Sequence, residues 1–233
     1  MISNGTAISE ALYEKLPYSA VKDMAPISTV AWFDLMLLTN PSSPYKTLKD
    51  FVAAAKAKPG SLNVGTINPG STQNLSAELF KSVAKIDVNL IPYRTSPEVL
   101  GALVRGDIAM GIEAYTALKA AVVGGQARAV AVTGETRNSA LPDVPTVKEA
   151  GIADYDVTGW NALFVKAGTP PAIVAQLNKE IVAITQMPDI KSKFADLGID
   201  AKATTPKQMG DRLAADIAKW SAVIEKAGIP KQK

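Results

Sequence analysis

The chain has 233 residues, enough for one large domain or two small ones with a sizeable core. It is 47% hydrophobic and 20% charged, with 16 Gly and 15 Pro, ordinary globular proportions that exclude the disordered, collagenous and coiled-coil classes. Lys and Arg total 25 against 22 Asp and Glu, and the resulting scattered +3 is too weak a field to argue for nucleic acid or an anionic membrane surface.

Cys and His are both absent, which removes disulfides, thiolate nucleophiles, Cys-based zinc sites and the commonest neutral-pH acid/base and metal ligand. Most familiar hydrolase constellations go with them, and neither a metal nor a cofactor is expected. Lack of Cys is compatible with the cytoplasm and with the bacterial periplasm alike. The opening MISNGTAISEALYEKL has no basic segment followed by an apolar one, so no secretory signal is expected within these residues. No apolar run approaches the roughly 20 residues of a membrane helix.

Along the chain, apolar runs of strand length alternate with segments of helical period, which predicts an α/β fold with a largely parallel sheet. The first strand candidate is Ile27–Leu38. Thr47 then caps a helix to Lys58 that carries Leu48, Phe51, Val52 and Ala55 on one face and stops at Pro59-Gly60. Strand Ser61–Thr66 runs through a glycine-rich turn into a helix that reaches Phe80, and strand Val88–Pro92 follows. Ser96-Pro97-Glu98 reads as a cap, a first-turn proline and an acid opening a helix to Arg105. Ile108–Ile112, Arg128–Thr133 and Asp156–Val165 are the next strands.

After Gly168-Thr169-Pro170-Pro171 the pattern changes to three helices, Ala172–Gln186, Pro188–Leu197 and Pro206–Ala227, with one short strand candidate at Ile199–Ala203. The last helix spaces Met209, Leu213, Ile217, Trp220 and Ile224 by three and four, a stripe for docking on a core. No repeat, low-complexity tract or Gly/Ser linker divides the chain, so two domains would be joined by strands that cross between them.

Two turns could carry chemistry. In Gly65–Gln73 a strand ends and a helix begins, and backbone amides together with the hydroxyls of Thr66, Ser71 and Thr72 suit an anion. The spacing matches neither the dinucleotide fingerprint nor the P-loop, and a plain strand-to-helix turn is the alternative. Pro92-Tyr93-Arg94-Thr95-Ser96 is the second such turn, where Arg94 could clamp a carboxylate or could be an exposed Arg beside a cap. Among the acids, Asp107, Glu113, Glu135, Asp143, Glu149, Asp154 and Asp156 show no diagnostic pair. Glu113 ends an apolar strand, where burial would demand a partner or ligand, and a solvated strand end is the plain expectation. Trp220 reads as core, while Trp32 and Trp160 lie in the strands flanking the middle segment and are core by default.

Several segments resemble the extracytoplasmic solute-binding proteins of the tripartite tricarboxylate transporter system, the Bug family. They are Asn4-Gly5-Thr6 with Ala11–Tyr18 and Val21–Pro26, Ala55–Gly60 with Leu62-Asn63, Val130–Thr133 leading to Leu141–Thr146, and Trp160–Phe164 leading to Gly168–Pro170. The likeness runs from residue 2 to about Gly228, and Leu-Pro-Asp-Val-Pro-Thr at 141–146 is its most specific element.

The resemblance implies a two-lobed periplasmic-binding-protein fold (type II) that closes on a small carboxylic acid and presents it to membrane partners. Its lobes would comprise residues 1–35 with 160–233, and 36–159. Carried over position by position, the ligand residues would be Ser3, Asn4 and Thr6 in the first turn, Thr66, Asn68, Gly70, Ser71 and Thr72 in the second, Tyr93, Arg94 and Thr95 in the third, and Glu113. Three positions depart from the family pattern: Asn74 replaces a usual His, Thr95 a usual Gly and Glu113 a usual Asp, so no relative's ligand preference transfers.

Relatives begin with a signal peptide and then a first strand and helix whose glycine-rich loop meets the ligand. This sequence starts downstream of both, so an exposed face, a sheet edge and self-association are expected. The resulting expectation is a non-enzymatic, periplasmic binding protein for a small mono- or dicarboxylate that works with transporter subunits and not with nucleic acid. A ligand-sensing regulator on the same fold is the alternative, followed by an enzyme using Glu113 or Asp107 as base.

Overall fold

The longest strand, β2 (Met24–Thr39), takes part in two separate sets of strand pairings in the computed structural model, which describes residues 1–233. Its beginning belongs to a compact unit formed by Met1–Phe33 and Gly159–Lys233, and its end to a second unit, Asp34–Thr158.

In the Asp34–Thr158 unit the chain continues through α2 (Leu48–Ala57), β3 (Asn63–Ile67), α3 (Thr72–Ala84), β4 (Asn89–Tyr93), α4 (Ser96–Arg105), β5 (Met110–Ala114), α5 (Tyr115–Val123) and β6 (Arg128–Val132). β3 lies between β4 and β5 and is parallel to both, with Val64 opposite Leu90 on one side and Met110 on the other. β2 lies between β5 and β6 and is antiparallel to both. The sheet is therefore mixed, where sequence alternation led to a largely parallel one. Alternation implies helical crossovers between β3, β4 and β5 and hence their common direction. It carries no information about a strand that enters the unit from elsewhere in the chain, and β2 is such a strand.

Local signals explain most helix starts. Thr47 accepts the Asp50 N–H while Asp50 accepts the Thr47 N–H, a reciprocal cap that opens α2. Leu48, Phe51 and Ala55 are the buried face of that helix. Its end passes into Gly60 at φ 71°, in the left-handed region where glycine carries no steric cost. Ser71 caps α3 by accepting the Asn74 N–H. At α4 the capping position is Thr95, not Ser96 as the sequence suggested, because Ser96 is already helical and its hydroxyl is used elsewhere. The core joins Met36 and Leu38 of β2 to Val99, Ala102 and Leu103 of α4, Ile108, Tyr115, Leu118 and Val132.

The other unit contains β1 (Ile2–Ser3), α1 (Asn4–Leu12), β7 (Thr158–Lys166), α6 (Pro171–Gln186), α7 (Pro188–Asp196), β8 (Ile199–Asp200) and α8 (Pro206–Lys226). β1 pairs with β7 and β8 with β2, both antiparallel. α1 buries Ala7, Ile8, Ala11 and Leu12 and packs on α8. The expected stripe of α8 is realised by Met209, Leu213, Trp220 and Ile224, but its middle position is taken by buried Asp216, with Ile217 only half-buried. Asp216 is tolerated there because it is fully satisfied. Trp160 Nε1–H donates to its Oδ2 at 2.7 Å, Arg212 Nε donates to the same oxygen at 2.9 Å and Lys219 Nζ lies 3.2 Å from Oδ1. Trp160 and Trp220 are core, whereas Trp32 is half-buried with the Arg212 guanidinium 5.1 Å from its ring centre. No helix is long and apolar enough to cross a membrane.

Candidate functional site

Three parallel strands of the Asp34–Thr158 unit, β3, β4 and β5, end on the same side, and each leads directly into a helix, α3, α4 or α5. From β3 the chain goes to neighbouring β4, and from β5 it goes the other way, to β6 beyond β2. The winding thus reverses between β3 and β5. Outside the carboxyl ends of strands at such a reversal the two loops part, leaving a crevice that open α/β sheets use for ligands. Helix N-termini aimed there add positive potential and amide donors.

The β3–α3 turn is built by its own side chains. Asn68 N–H donates to Tyr93 O at 3.0 Å, tying the turn to the end of β4. Gly70 adopts φ 78°, and its N–H donates to Asn74 Oδ1 at 3.1 Å, while Asn74 Nδ2 reaches buried Thr66 Oγ1 at 3.4 Å. Ser71 Oγ donates to Ile67 O at 3.0 Å and accepts the Asn74 N–H at 3.1 Å. The hydroxyls of Thr66 and Ser71 are therefore engaged inside the turn, and Asn74 is its organiser. Thr72 is the first residue of α3 and is half-buried.

At the β4–α4 turn Tyr93 is half-buried, and its ring stands 3.3 Å from where a side chain on Gly65 would begin. Arg94 and Thr95 are exposed. The Arg94 backbone N–H donates to Glu98 Oε2 at 3.0 Å, and the Thr95 hydroxyl makes no capping bond.

Glu113, the penultimate residue of β5 opposite Met36 of β2, departs from the solvated strand end expected of it: it is fully buried. Oε2 accepts from Gln73 Nε2 at 3.2 Å, Ser96 Oγ at 3.0 Å and the Ala114 N–H at 3.2 Å. Oε1 is buried with no hydrogen-bond partner. Burial pushes the Glu113 carboxyl above the usual range, against a smaller downward pull from these three donors. One acid thus joins the second residue of α3, the first of α4 and the end of β5.

The structure brings Thr66, Asn68, Gly70, Ser71, Thr72, Tyr93, Arg94, Thr95 and Glu113 to this side of one unit. Ser3, Asn4 and Thr6 belong to the other, around the start of α1, where Ser3 holds the capping position without a side-chain bond and Asn4 is buried. The roles of Gln73 and Ser96 were missed from sequence. Their signal was positional, a polar side chain in the first two helical residues after a strand, and only the fold shows that both reach one carboxylate. Asp107 pairs with Arg105 at 2.8 Å, and no group of three or more acids is gathered as a metal site.

Residues 1–229 match the model of the family described as tripartite tricarboxylate transporter family receptor. The chain belongs to this family. BugT of Bordetella pertussis is 31% identical over 222 residues, 95% of this chain and 68% of that protein. The chain spans 66–68% of the first curated relatives it matches. Among solved structures, an R. palustris protein with adipate is 29% identical with a TM-score of 0.82, over 98% of this chain and 77% of that one. MatC from Rhodopseudomonas palustris with bound malate is 28% identical with a TM-score of 0.75, over 95% and 77%. The chain has the mixed α/β fold of periplasmic binding proteins.

Proposed function

We propose that this receptor captures a small mono- or dicarboxylate in the periplasm at the carboxyl ends of β3, β4 and β5 and delivers it to a tripartite tricarboxylate-type transporter. The observation that carries the reading is the convergence of the first turns of α3 and α4 on the buried Glu113 at the point where the sheet's winding reverses. Two related proteins of this fold were solved with adipate and malate, both small dicarboxylates, which supports the ligand class.

In this reading the N-terminal amides of α3 and α4 and the hydroxyls of Thr72 and Thr95 face one ligand carboxylate, and exposed Arg94 supplies the neutralising charge. Asn68, Gly70, Ser71 and Thr66 hold the turn in shape, and Tyr93 walls it. The ligand leaves chemically unchanged. Without His, Cys or a paired second carboxylate, Glu113 has no partner for acid/base turnover.

A thermal-shift screen of this chain against malate, succinate, citrate, adipate, glutamate and terephthalate tests the reading, with adipamide as the uncharged control. A ligand held only by the folded state at a hundred times its Kd adds about 2.7 kcal/mol, a readily measured rise in melting temperature. At least one acid should raise it and adipamide should not. A cooperative melt unmoved by every acid contradicts the proposal.

A further inference from the structure

We infer that Glu113 is a proton-linked recognition group whose Oε1 is protonated in the complex and donates a hydrogen bond to a carboxylate oxygen of the ligand. This rests on the carboxylate-receptor reading and adds to it that the acid is taken up together with a proton.

The carboxyl of Glu113 is asymmetric in its bonding. Oε2 accepts three hydrogen bonds, from Gln73, Ser96 and the Ala114 N–H, while Oε1 is buried with none. A neutral carboxyl carries one O–H donor. With Oε2 already occupied by donors, the proton belongs on Oε1, which then needs an acceptor. A bare buried oxygen is costly in either protonation state unless something pairs with it.

No cation compensates the ionised form. The ionisable side chains on the elements packed against β5 are Asp34 on β2, Glu78 and Lys81 on α3, Glu98 and Arg105 on α4, and Tyr115 and Lys119 on α5. Of these, Lys81 pairs with Asp87, Arg105 at the far end of α4 pairs with Asp107, and Glu98 accepts from the Arg94 N–H. None of them bonds Glu113, and none contributes to its raised pKa, which burial dominates. Arg94, in the turn before α4, is exposed.

A ligand carboxylate brought against an ionised, uncompensated Glu113 would place two anions together in a buried setting. Against the neutral form it gains a charge-assisted O–H···O⁻ bond and the potential of the two helix N-termini. The ligand therefore selects the protonated state, and proton binding and acid binding become linked. The opposite arrangement keeps Glu113 ionised, with Oε1 accepting from a ligand ammonium or hydroxyl, and it predicts different behaviour of a Gln variant.

Titration calorimetry of the wild type and Glu113→Gln with adipate and with malate, from about pH 5 to about pH 9 in two buffers of different ionisation heat, separates the two. Ligand ionisation is common to both proteins, so the difference between them reports Glu113. The wild type should take up about one more proton than E113Q at the alkaline end. Its affinity relative to E113Q should fall about tenfold per pH unit above the Glu113 pKa, while E113Q, a neutral donor at every pH, retains the acidic-limit affinity. Equal proton uptake by the two proteins, or loss of binding in a folded E113Q at all pH values, overturns the assignment. Should E113Q not fold, the wild-type proton count alone decides between uptake and none. Failure of both acids to bind either protein at any pH overturns the carboxylate reading, and this assignment with it.

Discussion

Ser96 Oγ lies 3.0 Å from Glu113 Oε2, joining the first residue of α4 to the end of β5. The bond explains why the capping position of α4 moves to Thr95, and it fixes one of the two helix N-termini that bracket the acid. Gln73, at 3.2 Å from the same oxygen, fixes the other.

Glu113 should leave a signature in stability as well as in binding. Its folded-state pKa is raised by burial, so the folded protein holds this proton more tightly than the unfolded chain. Its contribution to stability is fully present below the unfolded-state pKa and is lost as pH rises through the folded-state value. The melting temperature of E113Q minus that of the wild type should therefore increase with pH and level off above the folded pKa. A pH-independent difference contradicts burial of this carboxyl.

Asp216→Ala tests the buried acid of α8. Removal leaves the Trp160 indole N–H, Arg212 and Lys219 without their common partner. Breaking a fully buried pair costs about 3–5 kcal/mol, but the Arg212 and Lys219 side chains are 22% and 27% exposed and can rehydrate, so about 2–3 kcal/mol is expected. D216N, which keeps the acceptor for Trp160, should lose less. Chemical denaturation of the two variants checks the order.

Gly65→Ala tests the close approach of strands beneath the site. A Cβ at Gly65 collides with Ile108 Cδ1 and comes within 3.3 Å of the Tyr93 ring. Overpacking of this kind costs about 1–3 kcal/mol. At this length each kcal/mol lowers the melting temperature by about 2–4 °C. An unchanged melt contradicts the packing described.

Ser71→Ala and Arg94→Ala separate scaffold from ligand contact. S71A removes the α3 cap and the bond to Ile67 O, and should cost about 1 kcal/mol of stability. R94A removes an exposed guanidinium, so its melt should match the wild type while affinity for the bound acid drops about tenfold or more. Equal affinity in R94A removes Arg94 from the site.

Helices with strong local chemistry were readable in the sequence: the Thr47–Asp50 cap, the stop at Pro59-Gly60 and the stripe of α8. α5 was not, because its capping position is Ala114, which offers no side-chain bond, and its backbone is kinked at Leu118. Strand direction in β2 and the burial of Asp216 and Glu113 were also hidden, because each depends on partners more than 10 residues away. The motif Leu141–Thr146 carried the resemblance most specifically, and in the fold it serves as scaffolding. Arg137 Nη1 donates to Pro142 O at 3.0 Å and Glu149 accepts the Thr146 N–H at 2.8 Å. Val132 N–H donates to Pro145 O at 2.9 Å.

Determining the crystal structure of this chain with adipate tests the central claim most directly. A ligand carboxylate should lie at the first turns of α3 and α4, with one oxygen in hydrogen-bond reach of Glu113 Oε1. Adipate bound away from the carboxyl ends of β3, β4 and β5, with that oxygen still unpartnered, would contradict it.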